Sequence, residues 1–417
     1  MKIFKFGGAS VKDHHGVINL FKIIKLLNVE NTLIVVSAMG KTTNAFEKVV
    51  NAYFNDFDQI NFFIDEIKKM HFKLIENLFK DIDEELKSKL DKIFYELNDF
   101  ISLNKNLNYS YVYDQIVSNG ELLSTIIIHN YLKNNGLKNS WLDSRICIKT
   151  DSYFRDSNLD WIETDKMINK HVNKNSITIT QGFIGSDSEK NTTTLGREGS
   201  DYSAAIFAYS LNADSVTIWK DVPGVLNGDP RIFRDLILLN KISYREAIEL
   251  AFYGASVIHP KTLQPLQRKE IPLFVKSFEY PLKDGTSVSK GISINPNVPC
   301  YILKSNQVLL KMSSKDFSFI VEDNISEIFS LLHKYQMKVE LIQNSAISFS
   351  VCVNNKYGRL EELNSILKLK YKLRVYNNVK LYTIRHFNKE SIKLLNNFKG
   401  KKILEQRTEK IYQVIKA

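Results

Sequence analysis

The sequence predicts an α/β protein in two parts. A three-layer, open and mainly parallel sheet domain covers residues 1–290, and ferredoxin-like βαββαβ units follow over 300–377 and, in a shortened copy, 378–417. Three observations predict it. Residues 2–36 read strand, helix, strand, the order of a parallel crossover. Apolar strands in the first 280 residues run into polar loops, and ligands of parallel sheets bind at those strand ends. Between 281 and 300 the periodicity disappears among Pro281, Gly285, Gly291, Pro296 and Pro299, and a different alternation follows, which places the domain boundary there.

Composition agrees. A chain of 417 residues is too long for one core, and 44% hydrophobic with 25% charged residues is the balance of a soluble globular protein. No apolar run approaches the roughly 20 residues that span a bilayer, so no membrane partner is expected. Met1 to Phe6 runs straight into a glycine loop without the layout of a signal peptide. Cys147, Cys300 and Cys352 lie far apart, without metal-ligand spacing, and read as buried thiols of a cytoplasmic protein. The net charge of +11 sits beyond residue 300, where 21 Lys and Arg face 10 Asp and Glu. These charges are interspersed with acids along amphipathic segments, so they read as a solvated face and not as a nucleic-acid surface.

Taken in order, Lys2–Phe6 alternates as a strand and is broken by Gly7-Gly8-Ala9-Ser10. Val17, Leu20, Phe21, Ile24 and Leu27 have helical spacing. Thr32–Val36 is a fully apolar strand ending in Ser37-Ala38-Met39-Gly40-Lys41-Thr42-Thr43-Asn44. Residues 59–80 and 83–103 read as a helical hairpin with no assigned chemistry. A helix over 122–132 carries Glu121 in its first turn, where a carboxylate suits the helix dipole. Strands are expected at 142–148, 176–180, 214–219 and 271–276, the last one closing the sheet. A helix is expected at 243–255.

The stretch that organises the chain is Thr193 to Ala205, a Gly-bearing loop feeding a helix through Ser200-Asp201. Unpaired N–H groups at such a junction attract anions. Arg197 offers a fork of donors to a carboxylate. Trp219-Lys220-Asp221-Val222-Pro223-Gly224 with Asp229-Pro230-Arg231 reads as a nucleotide loop. His259, before Pro260, reads as structural.

Five motifs occur in one order: Lys5 to Ser10, Gly120 to Ser124, Thr194 to Asp201, Trp219 to Arg231, and Gly254 to Pro260. Together they resemble the aspartate kinases of the amino acid kinase family, over about 1–290 and more loosely over two C-terminal ACT domains. The resemblance implies transfer of the ATP γ-phosphate to the β-carboxylate of L-aspartate, the first step toward lysine, threonine, methionine and diaminopimelate. It implies Lys5 and Asp201 as catalytic residues, and Ser37, Thr43, Glu121, Arg197 and Ser200 as substrate-binding. Lys5, Gly7, Gly8, Ser10, Lys220, Asp221, Leu226 and Arg231 would line ATP. Mg²⁺ would arrive with ATP, since it prefers phosphates and water to an all-protein cage. A homodimer through the ACT-like region is the expected assembly.

The sequence departs from that family at several points. Ala9 replaces the usual Thr, Glu198 the usual Gly, and Ser256 a Lys carried by many relatives. Glu198 is expected to face solvent, because an inward carboxylate would compete for Arg197. The effector loop expected at Ser313–Asn324 has no glycine, and Arg385-His386-Phe387-Asn388 is too short and lacks it as well. Feedback control is therefore expected to be lost or altered. Two other readings are another carboxylate kinase of this fold, and a non-catalytic ligand sensor on a decayed kinase scaffold.

Overall fold

The computed structural model describes residues 1–255, 258–291, 293–316 and 318–417. Ser256, one of the departures above, lies outside the described residues. The chain divides into two units. The first holds residues 1–225, 238–248 and 258–296, and the second holds 226–237, 249–255 and 297–417.

In the first unit, β1 (Lys2–Phe6), α1 (His14–Leu26) and β2 (Thr32–Val36) form the opening crossover. Asp13 caps α1, its carboxylate accepting from the Gly16 amide at 2.9 Å. Then come α2 (Thr42–Asn55), the hairpin of α3 (Ile60–Leu78) and α4 (Glu84–Leu103), α5 (Tyr109–Val117) and α6 (Asn119–Asn134). They are followed by β3 (Asn139–Leu142), α7 (Ser144–Cys147), α8 (Trp161–His171), β4 (Ile177–Gln181), β5 (Ile184–Ser186), β6 (Thr192–Thr194), α9 (Gly199–Leu211) and β7 (Ser215–Lys220). The unit closes with β8 (Lys241–Ser243), α10 (Tyr244–Tyr253, whose last residues belong to the second unit), α11 (Pro260–Arg268), β9 (Leu273–Ser277), β10 (Thr286–Ser289) and β11 (Ile294–Asn295).

Nine of these strands make one sheet in the order β11-β8-β10-β9-β7-β1-β2-β4-β3. From β3 to β9 every neighbouring pair is parallel. β1 is the switch point: the chain continues to β2 on one side and later returns to β7 on the other. Phe6 pairs with both Val36 and Trp219, and Val36 with Gln181, so the loops after β1, β2, β4 and β7 leave the sheet at one edge. Phe4, Phe6, Val36, Leu20, Ile24, Phe46 and Trp219 fill a core that continues through the helical hairpin.

Two expectations need correction. Residues 142–148 are not a strand. β3 ends at Leu142, and the Asp143 carboxylate then accepts from the Arg145 amide at 3.0 Å and starts the short α7. Nor does β9 close the sheet. The breaker-rich stretch after 281 supplies β10, antiparallel to β9 and parallel to β8, and β11 beyond. Both strands are too short to show a period between their Pro and Gly neighbours.

The second unit has a six-stranded antiparallel sheet of order β13-β14-β12-β15-β17-β16. Its strands are β12 (Cys300–Ser314), β13 (Lys338–Ser345), β14 (Ser348–Asn354), β15 (Tyr371–Arg385), β16 (Lys402–Arg407) and β17 (Ile411–Lys416). Its helices are α12 (Glu322–Lys334), α13 (Leu360–Lys370) and α14 (Lys389–Asn396). β15 carries the end of the first expected βαββαβ copy and the start of the second without a break. Leu310, Ile328, Leu332, Val351, Leu363 and Leu367 pack one core, and Tyr382, Leu395, Tyr412 and Val414 another. Cys147, Cys300 and Cys352 are all buried. Among the described residues no helix is long and apolar enough to cross a membrane.

Candidate active site

The four loops at the carboxyl edge of the sheet enclose a cleft of about 460 Å³. Lys5, Gly7, Gly8, Ser10, Ser37, Thr43, Glu121, Ser200, Asp201, Lys220 and Asp221 all line it. The glycine loop after β1 lies against the loop after β2: the Gly40 amide donates to the Gly8 carbonyl at 2.9 Å. A Cβ on Gly8 would sit 2.6 Å from the Ala38 carbonyl oxygen, so no other residue fits there. The Ser10 hydroxyl, at 3.4 Å from the Trp219 carbonyl, ties the same loop to the end of β7.

Charge in the cleft converges on Asp201, buried in the first turn of α9. Lys5 Nζ lies 2.7 Å from Asp201 Oδ1, and Lys220 Nζ lies 3.8 Å from Oδ2. Burial alone would raise the Asp201 pKa, but the charges of Lys5 and then Lys220 outweigh it and hold the carboxyl below its usual value. Asp201 therefore stays ionised and keeps two ammonium groups at the mouth of the glycine loop.

Glu121 is the opposite case. Only 3% of it is exposed, and burial pushes its carboxyl up to about 8, against the opposing pull of the Ala38 amide and the Lys5 charge. Oε1 accepts from the Ala38 N–H at 3.3 Å. Oε2 is buried and has no partner among the described residues. An orphaned carboxylate oxygen facing an open cleft costs stability, and a cationic ligand group would satisfy it.

The loop before α9 differs from expectation. Glu198 has φ 55 and ψ 28, the left-handed region. Its side chain lines the cleft with Oε2 buried and unpartnered among the described residues, so it does not face solvent. Consecutive side chains diverge at such a turn, and Arg197 is exposed and outside the cleft lining. His259 sits near Glu198 electrostatically, but burial dominates and lowers its pKa. Its Nδ1 accepts from the Lys261 amide at 3.2 Å and caps α11, the structural role expected for it. Gly196 has φ 75, and a side chain there would run into Asp156. Replacing Glu198 by Gly is expected to stabilise the fold by about 1 kcal/mol, because glycine accepts the left-handed turn and the orphan oxygen is removed. Scanning calorimetry checks this, and a lower Tm would show that the side chain is a net support.

Leu226 and Arg231, expected at the nucleotide, lie on the 226–237 segment of the second unit. The Arg231 guanidinium is exposed and clasped by Asp229 through Nε at 3.0 Å and an Nη at 2.7 Å.

The comparisons with known proteins agree with this geometry. A model of the amino acid kinase family matches residues 1–277. The lysine-sensitive aspartokinase 3 of Escherichia coli is 30% identical over 359 residues, covering 84% of this chain and 78% of that protein. The chain belongs to the amino acid kinase family. E. coli aspartokinase III, solved in complex with aspartate and ADP, superposes on this amino acid kinase with a TM-score of 0.82 at 26% identity, covering 100% of this chain and 96% of that one. The same enzyme in complex with lysine and aspartate gives 0.79 at 28% identity, covering 100% and 95%.

Sequence reading missed one charged residue of this kinase. Asp114 of α5 is fully buried and receives three hydrogen bonds, two from Thr194 at the end of β6 and one from the Arg155 amide. Burial raises its carboxyl to about 6, against the hydrogen bonds from Arg155 and Thr194. It stands alone between Tyr113 and Gln115, without a motif that marks it.

Proposed function

We infer that the chain is an aspartate kinase, transferring the γ-phosphate of ATP to the β-carboxylate of L-aspartate to give ADP and 4-phospho-L-aspartate. The observation that carries this reading is the convergence of an Asp201-held pair of lysines, a glycine cradle and the orphaned Glu121 carboxyl in one cleft. The aspartate and ADP complexes of the E. coli relative support it. A phosphoryl group needs cations and N–H donors. An amino-acid ammonium needs a carboxylate.

The nucleophile requires no base, because a side-chain carboxylate with a pKa near ~3.9 is ionised at neutral pH. Its oxygen forms the new bond to the γ-phosphorus, and the bond from that phosphorus to the bridging oxygen of the β-phosphate breaks. Lys5 and Lys220 offset charge on the moving group, while Asp201 keeps both ammonium groups oriented. Gly7 and Gly8 present N–H groups to phosphate oxygens, and Asp221 lies at the cleft rim. Glu121 takes the substrate ammonium. Ser37, Thr43 and Ser200 offer hydroxyls, and Arg197 closes from its exposed loop onto the α-carboxylate. Mg²⁺ would be held by ATP phosphates and water, which it prefers to an all-protein cage. Bound there, Mg²⁺ would neutralise phosphate charge. Two subunits pair through the ACT-like unit.

An ATP-dependent hydroxamate assay tests the reaction. Turnover is expected with L-aspartate and not with glutamate, acetylglutamate or carbamate, and an inert aspartate would refute the reading. Feedback control is lost or altered, because the stretch from Ser313 to Asn324 lacks the glycine that would let backbone amides close on an effector. Saturating lysine or threonine is expected to leave at least half of the activity, and strong inhibition by either one would refute this.

A further inference from the structure

Thr194, the last residue of β6, lies three positions before Arg197 and six before Ser200. It is held on every side. Its amide donates to Asp114 Oδ2 at 2.8 Å, and its hydroxyl to Asp114 Oδ1 at 2.7 Å. Its carbonyl accepts from the Ser157 amide at 3.0 Å. Asp114 Oδ2 also accepts from the Arg155 amide at 3.0 Å. Arg155 has φ 72, and its guanidinium stacks on Tyr113 and Tyr109 of α5 at 4.5 and 5.3 Å from the ring centroids. One buried carboxylate thus pins the end of β6 and the loop at Arg155 to α5.

That position matters because α5 continues almost directly into α6. The Ser118 amide donates to the Asp114 carbonyl, and Leu122 to Ser118, so Asp114 and Glu121 ride on one helical segment. Glu121 is the ammonium-binding half of the substrate pocket under the function proposed above, and the 195–200 loop is the other half. Asp114 itself is absent from the cleft lining and touches no reacting atom.

We propose that Asp114 is a positioning residue that sets the spacing between the two halves of the amino-acid pocket, and so controls aspartate affinity without contacting aspartate. Resting on that functional reading, the inference predicts a selective effect. Thr194→Val keeps the shape and removes only the hydroxyl bond to Asp114. The aspartate KM is expected to rise about 5-fold, the order expected for one lost hydrogen bond. Thr194→Ser restores the hydroxyl and should behave as wild type. Asp114→Asn can keep its carbonyl oxygen on the two backbone amides and turn its NH2 to the Thr194 hydroxyl, which then accepts, so only the charge-assisted strength is lost and an aspartate KM raised about 10-fold is expected. The KM for ATP and kcat should stay within about twofold in all three variants.

Peptide-level hydrogen exchange over 195–203 in the full-length protein gives a second readout that needs no substrate. Faster exchange is expected in Thr194→Val and Asp114→Asn and not in Thr194→Ser. Unchanged exchange, or equal rises in both KM values, would overturn the inference, even if Asp114→Asn alone failed to fold. A wild-type chain inert toward aspartate would instead strike the functional reading, and the exchange result would still judge Asp114.

Discussion

Lys5→Met is expected to lower kcat by on the order of 10³-fold, the cost of removing a preorganised charge from a phosphoryl-transfer site. The same change is expected to lower stability. Lys5 and Asp201 form a buried pair at 2.7 Å, and Lys220 at 3.8 Å is the weaker partner. Removing one member of a buried pair costs about 3–5 kcal/mol when the other charge is left uncompensated, and the lower end is expected here because Lys220 still faces Asp201. The two effects are separable. In Lys5→Met with Asp201→Asn the uncompensated charge is gone, so most of the stability should return while activity should not. Denaturant unfolding and the hydroxamate assay on the single and double variants check both. If Lys5→Met kept more than a tenth of wild-type kcat, another group would have to neutralise the phosphoryl oxygens.

The parallel half of the sheet was legible because β2 and β4 are buried along their whole length and β1 and β7 over four consecutive residues, so apolar and β-branched side chains dominate all four. Their polar ends were legible for the same reason, so eleven of the expected site residues could be placed in one cleft before their distances were known. β10 and β11 were not. A strand of four residues and one of two carry no period, and their place in the sheet is decided by partners at β8 and β9. Glu198 shows a different limit. A residue with a side chain seldom adopts φ near 55, so nothing in its neighbours announces that the loop turns its carboxylate inward and Arg197 outward. Asp114 was illegible for a third reason. Its partners lie 41 and 80 positions away, and a single mid-helix Asp resembles any solvated one until the fold buries it.

Glu121→Gln separates binding from stability in the opposite sense to Lys5. Burial raises the Glu121 pKa from 4.5 to about 8 in the empty site. Between those values the folded chain holds a proton that the unfolded chain releases, so this group makes stability fall as pH rises from about 4.5 to about 8. The glutamine variant stays neutral throughout. It is expected to be more stable than wild type at pH 8, with the difference closing toward pH 5, as thermal melts across that range would show. Catalysis should change the other way. The substrate ammonium brings the positive charge that lets Glu121 ionise, and a charge-assisted hydrogen bond to the otherwise orphaned Oε2 would be lost in the amide. A rise of about 10- to 100-fold in the aspartate KM is expected, with the KM for ATP little changed. Wild-type kcat/KM for aspartate should climb with pH toward a plateau above about 8, and the variant should lack that limb. An aspartate KM within twofold of wild type would remove Glu121 from the substrate site. Its buried oxygen would then be a cost of the fold with no ligand to offset it, and the convergence of charges on this cleft would need another explanation.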